Sequence, residues 1–256
     1  MATYVLSDIH GHLDYFEDIL RQIEFSQKDI LYIIGDGIDR GPNPIGVLKR
    51  IKDIPNAHFL LGNHEHMMIQ ALVENDKSMM ANWLRNGGDI TLEQFQLLPE
   101  NEQKTLLDWL QTRLIAIPNL FVNGKQYFLA HASHPLFYLE EPLSYKKACD
   151  FDRHQILWSR DYGLVFKDEL ASRYHRLYNK YKKTTLLFGH TPVYKTNYAK
   201  TNRSGQPLIS RTGSGHLINL DCGCARGLPL GCLRLDDGKE FYASLPKGTR
   251  ISKINQ

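Results

Sequence analysis

Short apolar runs alternate with helical repeats through about the first 75 residues. Thr3 to Leu6 reads as a buried strand, and Leu13, Phe16, Ile19, Leu20 and Ile23 then recur at helical spacing. Ile30 to Ile34 is a second strand, followed by a Gly-rich loop and a short helix near Ile45, Leu48 and Ile51. His58 to Leu61 is a third strand, and Met68, Ile69, Leu72 and Val73 suggest another helix. This β-α-β-α-β-α order predicts a largely parallel sheet with right-handed crossovers. From about Asp76 to Pro118 the pattern is helical, with LLDWL and Asn86-Gly87-Gly88 as landmarks. Strand signals return at Gln126 to Ala130, Thr184 to Phe188 and His216 to Leu220. The stretch between Leu136 and Lys183 is aromatic, charged and helical in part. CLRLDD and EFYASL, separated by Asp237-Gly238, read as a closing hairpin. With no repeat or Ser/Gly linker, the expectation is one domain over 1–256 with helical insertions near 76–118 and 136–183.

Composition narrows the class. Of the 256 residues, 42% are hydrophobic and 23% charged, which argues against a disordered chain. Lys plus Arg is 31 and Asp plus Glu is 28, a formal charge of +3, so dedicated nucleic-acid binding is not expected. No apolar run approaches the roughly 18 residues of a membrane helix, and MATYVLSDIHG does not read as a signal peptide. Four cysteines, Cys149, Cys222, Cys224 and Cys232, do not make a disulfide framework; a reducing cytoplasm is the expected compartment.

Residues with metal-ligand chemistry collect just after the apolar strands. The first runs into Ser7-Asp8-Ile9-His10-Gly11, the second into Gly35-Asp36-Gly37-Ile38-Asp39-Arg40-Gly41, the third into Gly62-Asn63-His64-Glu65. Two later strands run into His131-Ala132-Ser133 and Gly189-His190-Thr191-Pro192. Ligands of open α/β sheets lie outside the carboxyl ends of the strands, so five strand ends deliver these groups to one edge. Each piece alone is weak: a D-x-H triplet is common, and a GNH segment can be a simple turn. If the backbone stays extended, Asp8 and His10 fall on one side. The joint set Asp, His, Asp, Asn, His, His contains no thiolate and suits Mn, Fe, Zn, Co or Ni. Six protein ligands exceed one open site and suit two ions that could clamp a phosphate.

The blocks SDIHG, GDGIDRG, GNHE, LAHAS and FGHTP resemble the signature of the phosphoprotein phosphatase branch of the calcineurin-like metallophosphoesterases, above all the small bacterial and phage-lambda-type serine/threonine protein phosphatases. NWLRNGG and LWSRD are similar to that subgroup too, and the likeness runs from about Thr3 to Asp221. The resemblance implies an α/β sandwich of two mixed β-sheets flanked by helices, with metals at one sheet edge. It implies that Asp8 and His10 bind one divalent ion, Asp36 bridges two, and Asn63, His131 and His190 complete the second site. Asn63 would also touch substrate. His64 would give a proton to the leaving alkoxide, oriented by Asp39, while Arg40 and Arg160 grip phosphate oxygens. The ions would be two, with manganese first and Fe, Zn, Co or Ni as alternatives.

The implied activity is a protein serine/threonine phosphatase, with phosphotyrosine as a further substrate, working by direct attack of a metal-bound hydroxide. A related reading is a dinucleoside polyphosphate hydrolase for substrates such as diadenosine tetraphosphate; those relatives often lack the acid found here as Asp39. A reading from another class is a scaffold that kept the fold and lost the chemistry. The partner is then a phosphorylated protein or a small phosphoester. Two departures from the common pattern stand out: Ser133 where glycine is usual, and Asp221-Cys222-Gly223-Cys224 where relatives often have Asp-Thr-Gly. Cys222, Cys224 and Cys232 read as reduced, buried thiols, with a redox pair at Cys222 and Cys224 as the alternative. RYHRLYNKYKK at 173–183 reads as a solvated amphipathic helix, and His12, His66 and His134 as neighbours of the site rather than ligands.

Overall fold

In the computed structural model, residues 1–133, 135, 138–160, 179–212 and 215–243 are described. The first half carries β1 (Thr3–Leu6), α1 (Leu13–Gln22), β2 (Ile30–Ile34), α2 (Pro44–Lys52), β3 (Ala57–Leu60) and α3 (Asn63–Leu72). Helices α4 (Lys77–Trp83), α5 (Asp89–Gln96) and α6 (Glu100–Gln111) follow, with a kinked turn at Leu84–Gly88 joining the first two. Then come β4 (Leu114–Val122), β5 (Lys125–Ala130), β6 (Leu143–Ser144), α7 (Asp150–Leu157) and β7 (Thr184–Phe188). The chain closes through β8 (Lys200–Thr201), β9 (Pro207–Leu208), β10 (Ser210–Thr212), β11 (Leu217–Asn219), β12 (Gly231–Arg234) and β13 (Glu240–Tyr242).

The strands pair in the order β10-β11-β7-β5-β4-β3-β2-β1-β12-β13, with β6 added to β4. The contiguous apolar strands of the sequence are those buried on both faces. Tyr4, Leu6, Leu31, Ile33, Phe128 and Leu186 join a core shared with the helices, while Val5, Tyr32, Ile34, Leu129 and Leu187 pack into a second core. The two layers of the expected sandwich are halves of one hydrogen-bonded path. They meet at β3 and β4, which share the single register pair Leu60 with Leu114. Each half is mixed: β1, β2 and β3 run parallel, and so do β5, β7 and β11, while β12 pairs antiparallel with β1, β4 with β5 and β10 with β11.

Several boundaries differ from the sequence reading. The helical stretch expected to Pro118 ends at Gln111, because Leu114–Val122 is a strand. Pro118 hid it: a proline cannot donate to the ladder, and the register with β5 shifts between Ile117 and Leu120. Helix α3 begins at Asn63, several residues before its first periodic apolar position, so the GNH segment is a helix start and not a turn. The third strand lies one residue earlier than His58 to Leu61. Helix α2 starts where Asn43 caps it, its side chain accepting the Gly46 N–H at 3.0 Å with Pro44 in the first turn. Residues 161–178, including most of the 173–183 stretch, lie outside the described residues. At its end Tyr181 is buried against Phe128, with ring centroids 5.5 Å apart.

Candidate metal centre

Five strand ends meet as the sequence suggested, and the hub is one oxygen. Asp36 Oδ2 lies 3.3 Å from His131 Nε2, 3.6 Å from His10 Nε2 and 3.9 Å from His64 Nε2. Two clusters with metal-ligand spacing share it: His10, Asp36 and His64, and Asp36, His131 and His190. Asn63 Oδ1 lies 3.0 Å from His131 Nε2 and 2.9 Å from His190 Nδ1. Asp8 Oδ1 is 4.0 Å from His10 Nε2, and its carboxylate accepts the His190 backbone N–H.

Asp8 and His10 do not share a side through an extended backbone. Both are in the left-handed region, with φ of 53° and 46°, and so are Asp36, Asp39, Arg40 and His190. Sharp turns after each strand, not strand alternation, aim these side chains. Ser133, by contrast, is not among the positive-φ residues, so the absent glycine costs nothing there.

The donor set fits divalent cations. His10 Nδ1 donates to the Ile38 carbonyl and His131 Nδ1 to the Ile34 carbonyl, each at 3.0 Å. In the neutral rings that leaves both Nε2 atoms as lone pairs beside the Asp36 carboxylate; the Arg40 guanidinium meets that of His10, while that of His131 faces only the oxygens of Asp36 and Asn63, an arrangement that a cation or an added proton reconciles. His190 Nε2 is buried with no hydrogen-bond partner among the described residues. The close approach also needs Gly62, where a Cβ would fall 2.1 Å from Asp36 Oδ1.

The buried charges act strongly on one another. Burial pulls His131 down, but Asp36 and Asp8 outweigh it and raise its pKa to about 10. Burial would raise Asp36, yet His131, His64 and His10 hold it well below the usual carboxylate range. Burial raises Asp8 to about 7, and burial with the charge of His131 lowers His190 to about 3.

His64 falls within the first of these clusters, but its two ring nitrogens are engaged elsewhere. Its Nδ1 meets Asp39 Oδ2 at 2.5 Å, and its Nε2 lies 2.8 Å from Arg40 Nη2. Arg40 Nη1 reaches His10 Nε2 at 3.0 Å. Arg160 is exposed and lines the same cleft of about 520 Å³, together with Arg40, Arg85, Lys195 and Arg226. Five cationic side chains around His10, His190 and Asp221 make this a site for anions.

Sequence reading missed the residue that ties the loops together. Glu65 is fully buried, and its carboxylate accepts the N–H groups of Asp36 (3.0 Å), Gly37 (2.8 Å), Ile38 (3.2 Å) and Gly62 (2.8 Å). Its signal was an acid in the third position of a helix, where a carboxylate reaches back to free N–H groups. Asp221 was likewise passed over; it is buried, and its carboxylate accepts the Gly223 N–H at 2.9 Å. His66 sits against Tyr145, with Nδ1 2.9 Å from the hydroxyl, and His12 against Tyr15; neither joins the ligand clusters. His134 lies outside the described residues.

The calcineurin-like phosphoesterase family model matches residues 1–213, and the chain belongs to that family. It is a phosphoesterase, a hydrolase of the class that works with a dimetal centre. It is 30% identical over 193 residues to serine/threonine-protein phosphatase 1 of Salmonella typhimurium, covering 75% of this chain and 79% of that one. It is also 26% identical over 281 aligned positions to the symmetrical bis(5'-nucleosyl)-tetraphosphatase of Salmonella paratyphi C, covering 94% of each. Among solved structures, the cold-active protein-tyrosine phosphatase of a psychrophilic Shewanella superposes with a TM-score of 0.55 at 18% identity, over 94% of this chain and 80% of that one; this likeness is one of fold.

Proposed function

We propose that this phosphoesterase is a protein serine/threonine phosphatase, a phosphomonoesterase with two divalent ions, manganese first among them. One ion would sit with Asp8, His10 and Asp36, the other with Asp36, Asn63, His131 and His190. When bound, the ions supply positive charge at the phosphate oxygens and lower the pKa of water. Arg40 and Arg160 grip the phosphate, the planar guanidinium matching its oxygens. Hydroxide, from a water that gives its proton to solvent, bonds to phosphorus; the P–O electron pair leaves with the ester oxygen, which takes the proton of His64 Nε2 once the phosphate has drawn the Arg40 guanidinium off that nitrogen, and solvent returns a proton to His64. Asp39 keeps the other ring nitrogen protonated and the ring aimed.

The observation that carries the protein-phosphatase reading is the His64–Asp39 pair. A serine or threonine alkoxide is a poor leaving group and needs a proton as the P–O bond breaks. A nucleotide phosphate leaves as a stable anion and needs none. The excess of positive charge at Arg85, Lys195 and Arg226 favours a second reading, a dinucleoside polyphosphate substrate, which the tetraphosphatase relatives share.

The deciding experiment compares kcat/KM for a phosphothreonine peptide and for diadenosine tetraphosphate in one Mn2+-loaded preparation. A peptide preference of about 100-fold, about 2.7 kcal/mol in transition-state discrimination, is expected. The reverse preference makes the chain a nucleotide hydrolase. Residues 1–256 are read as one domain, supported by the family match and by one sheet that runs from Thr3 to Tyr242. A cytoplasmic location is supported by four free cysteines, and no helix among the described residues is long and apolar enough to cross a membrane.

A further inference from the structure

The segment after α3 contacts the catalytic loop from outside the five motifs. Asp39 is fully buried, and its carboxylate takes three donors: His64 Nδ1 at 2.5 Å and Trp83 Nε1 at 2.8 Å on Oδ2, and Thr91 Oγ1 at 2.5 Å on Oδ1. Thr91 Oγ1 also accepts the backbone N–H of Asp39 at 3.0 Å. One hydroxyl therefore fixes both ends of a residue whose backbone is left-handed, with φ of 71°. Thr91 and Trp83 are themselves fully buried, so no water competes for these bonds.

The kinked turn at Leu84–Gly88 sets the geometry. Gly88 lets the indole come close: a Cβ there would lie 2.4 Å from Trp83 Nε1. The same turn holds the next residue, with the Arg40 N–H donating to the Gly87 carbonyl at 3.0 Å and Arg40 Nε to the Asn86 carbonyl at 3.3 Å. Gly87 turns the chain here with φ of 92°, a left-handed conformation that glycine adopts without strain. The turn therefore divides its contacts: Trp83 and Thr91 hold Asp39, while Asn86 and Gly87 hold Arg40.

We propose that Thr91 and Trp83 are positioning residues for proton delivery: they lock the Asp39 carboxylate and thereby aim His64 Nε2 at the departing ester oxygen. The proposal rests on the reading of His64 as the proton donor. It sets Thr91 and Trp83 apart from a purely packing role, because their loss falls on the step in which the leaving oxygen takes a proton. Substrates whose leaving oxygen is weakly basic escape that loss.

The test uses Mn2+-loaded protein with two substrates of similar size, 4-nitrophenyl phosphate and phenyl phosphate, the second leaving as the far more basic oxygen. In Thr91→Val, kcat on phenyl phosphate is expected to fall about tenfold and kcat on 4-nitrophenyl phosphate less than about twofold, with KM unchanged, a part of the roughly 100-fold or larger effect of a positioned acid. Trp83→Phe, which removes one donor and leaves both bonds between Thr91 and Asp39, moves the ratio the same way by a smaller factor, and it carries the test if the valine variant does not fold. Thr91→Ser, which keeps the hydroxyl, restores the ratio. His64→Asn serves as the reference and moves the ratio further in the same direction. Equal losses on both substrates in Thr91→Val and Trp83→Phe, beside a selective loss in His64→Asn, overturn the positioning role alone. Equal losses in His64→Asn remove the proton-donor reading, and this proposal falls with it.

Discussion

Glu65→Gln changes one oxygen to an amide and tests what holds the ligand loops. The four N–H groups of Asp36, Gly37, Ile38 and Gly62 converge in pairs on the two carboxylate oxygens. Glutamine keeps one oxygen, so two N–H groups then face an NH2 group. A hydrogen bond to a charged group contributes about 1.5–3 kcal/mol, so the loss is about 3–6 kcal/mol. One effect opposes it. Burial, with the charge of Asp36 added, pushes the Glu65 carboxyl up to about 7, so removing the charge relieves some repulsion. The hydrogen bonds should win, because two buried donors are left without acceptors and cannot reach water. At about 2–4 °C per kcal/mol for a chain of this size, Tm should fall by about 6–24 °C. Mn2+ uptake should weaken with it, since Asp36 is attached to the displaced loop. Thermal unfolding followed by circular dichroism and titration calorimetry with Mn2+ read the two effects. A Tm within 3 °C of the parent, or above it, with unchanged Mn2+ uptake would refute the clamp and show that charge relief dominates.

Three further outcomes follow from the same geometry. The raised pKa of His131 means that metal-free folded protein keeps a proton that the unfolded chain releases near its ordinary value of 6.5; stability should therefore drop as pH rises from about 6.5 towards about 10, and Mn2+ uptake near pH 8 should release that proton, as calorimetry in buffers of unequal ionisation enthalpy would detect. Gly62→Ala places a methyl group on Asp36 Oδ1 and should abolish Mn2+ binding in a chain that still shows the parent's far-ultraviolet dichroism; full occupancy in this variant would contradict the close approach. Cys222, Cys224 and Cys232 are buried with thiol pKa values raised first by burial, so a thiol reagent should label Cys149 alone in the native protein and all four thiols after denaturation; rapid native labelling of a second cysteine would revive the redox pair.

The strands and the meeting of the candidate ligands were legible in the sequence because both leave local marks. Thr3–Leu6, Ile30–Ile34 and Thr184–Phe188 are apolar runs bounded by polar turns, and the structure forms strands over those same residues. Each ligand stands within a few residues of a strand end, so strand order alone brought Asp8, Asp36, Asn63, His131 and His190 to one edge. What was hidden is what acts across distance. β4 was masked by Pro118 and by a run of Leu and Ile with no clean alternation. Thr91 lies 52 residues from Asp39, and no periodicity links a helix threonine to a loop carboxylate. The role of Glu65 was local in part: its bond to Gly62 spans three residues, but those to Asp36, Gly37 and Ile38 span 27 to 29. The left-handed turns were invisible because aspartate, histidine and arginine carry no mark of positive φ.

Those turns explain why the ligand cluster and its supports should respond differently to mutation. Among the described residues, nine non-glycine positions have positive φ, and six are Asp8, His10, Asp36, Asp39, Arg40 and His190. Each such position costs on the order of 1–3 kcal/mol and persists only if its surroundings over-determine it. Here the loops hold one another through the main chain: Asp8 N–H to the Gly35 carbonyl at 3.1 Å, His10 N–H to the Asp36 carbonyl at 2.8 Å, and Gly11 N–H to the Gly37 carbonyl at 2.8 Å. None of these bonds uses a ligand side chain. Asp36→Asn should therefore leave the loops in place and lose metal affinity, its metal-free Tm falling only by the charge pairing with His131, which a shallower loss of stability with rising pH reads out. Glu65→Gln removes a support instead and should lose both. If Asp36→Asn lowered the metal-free Tm as far as Glu65→Gln does, the bond between Asp36 Oδ1 and the His64 N–H at the start of α3, 3.1 Å long, would be a structural support of equal rank, and the separation between ligands and scaffold would fail.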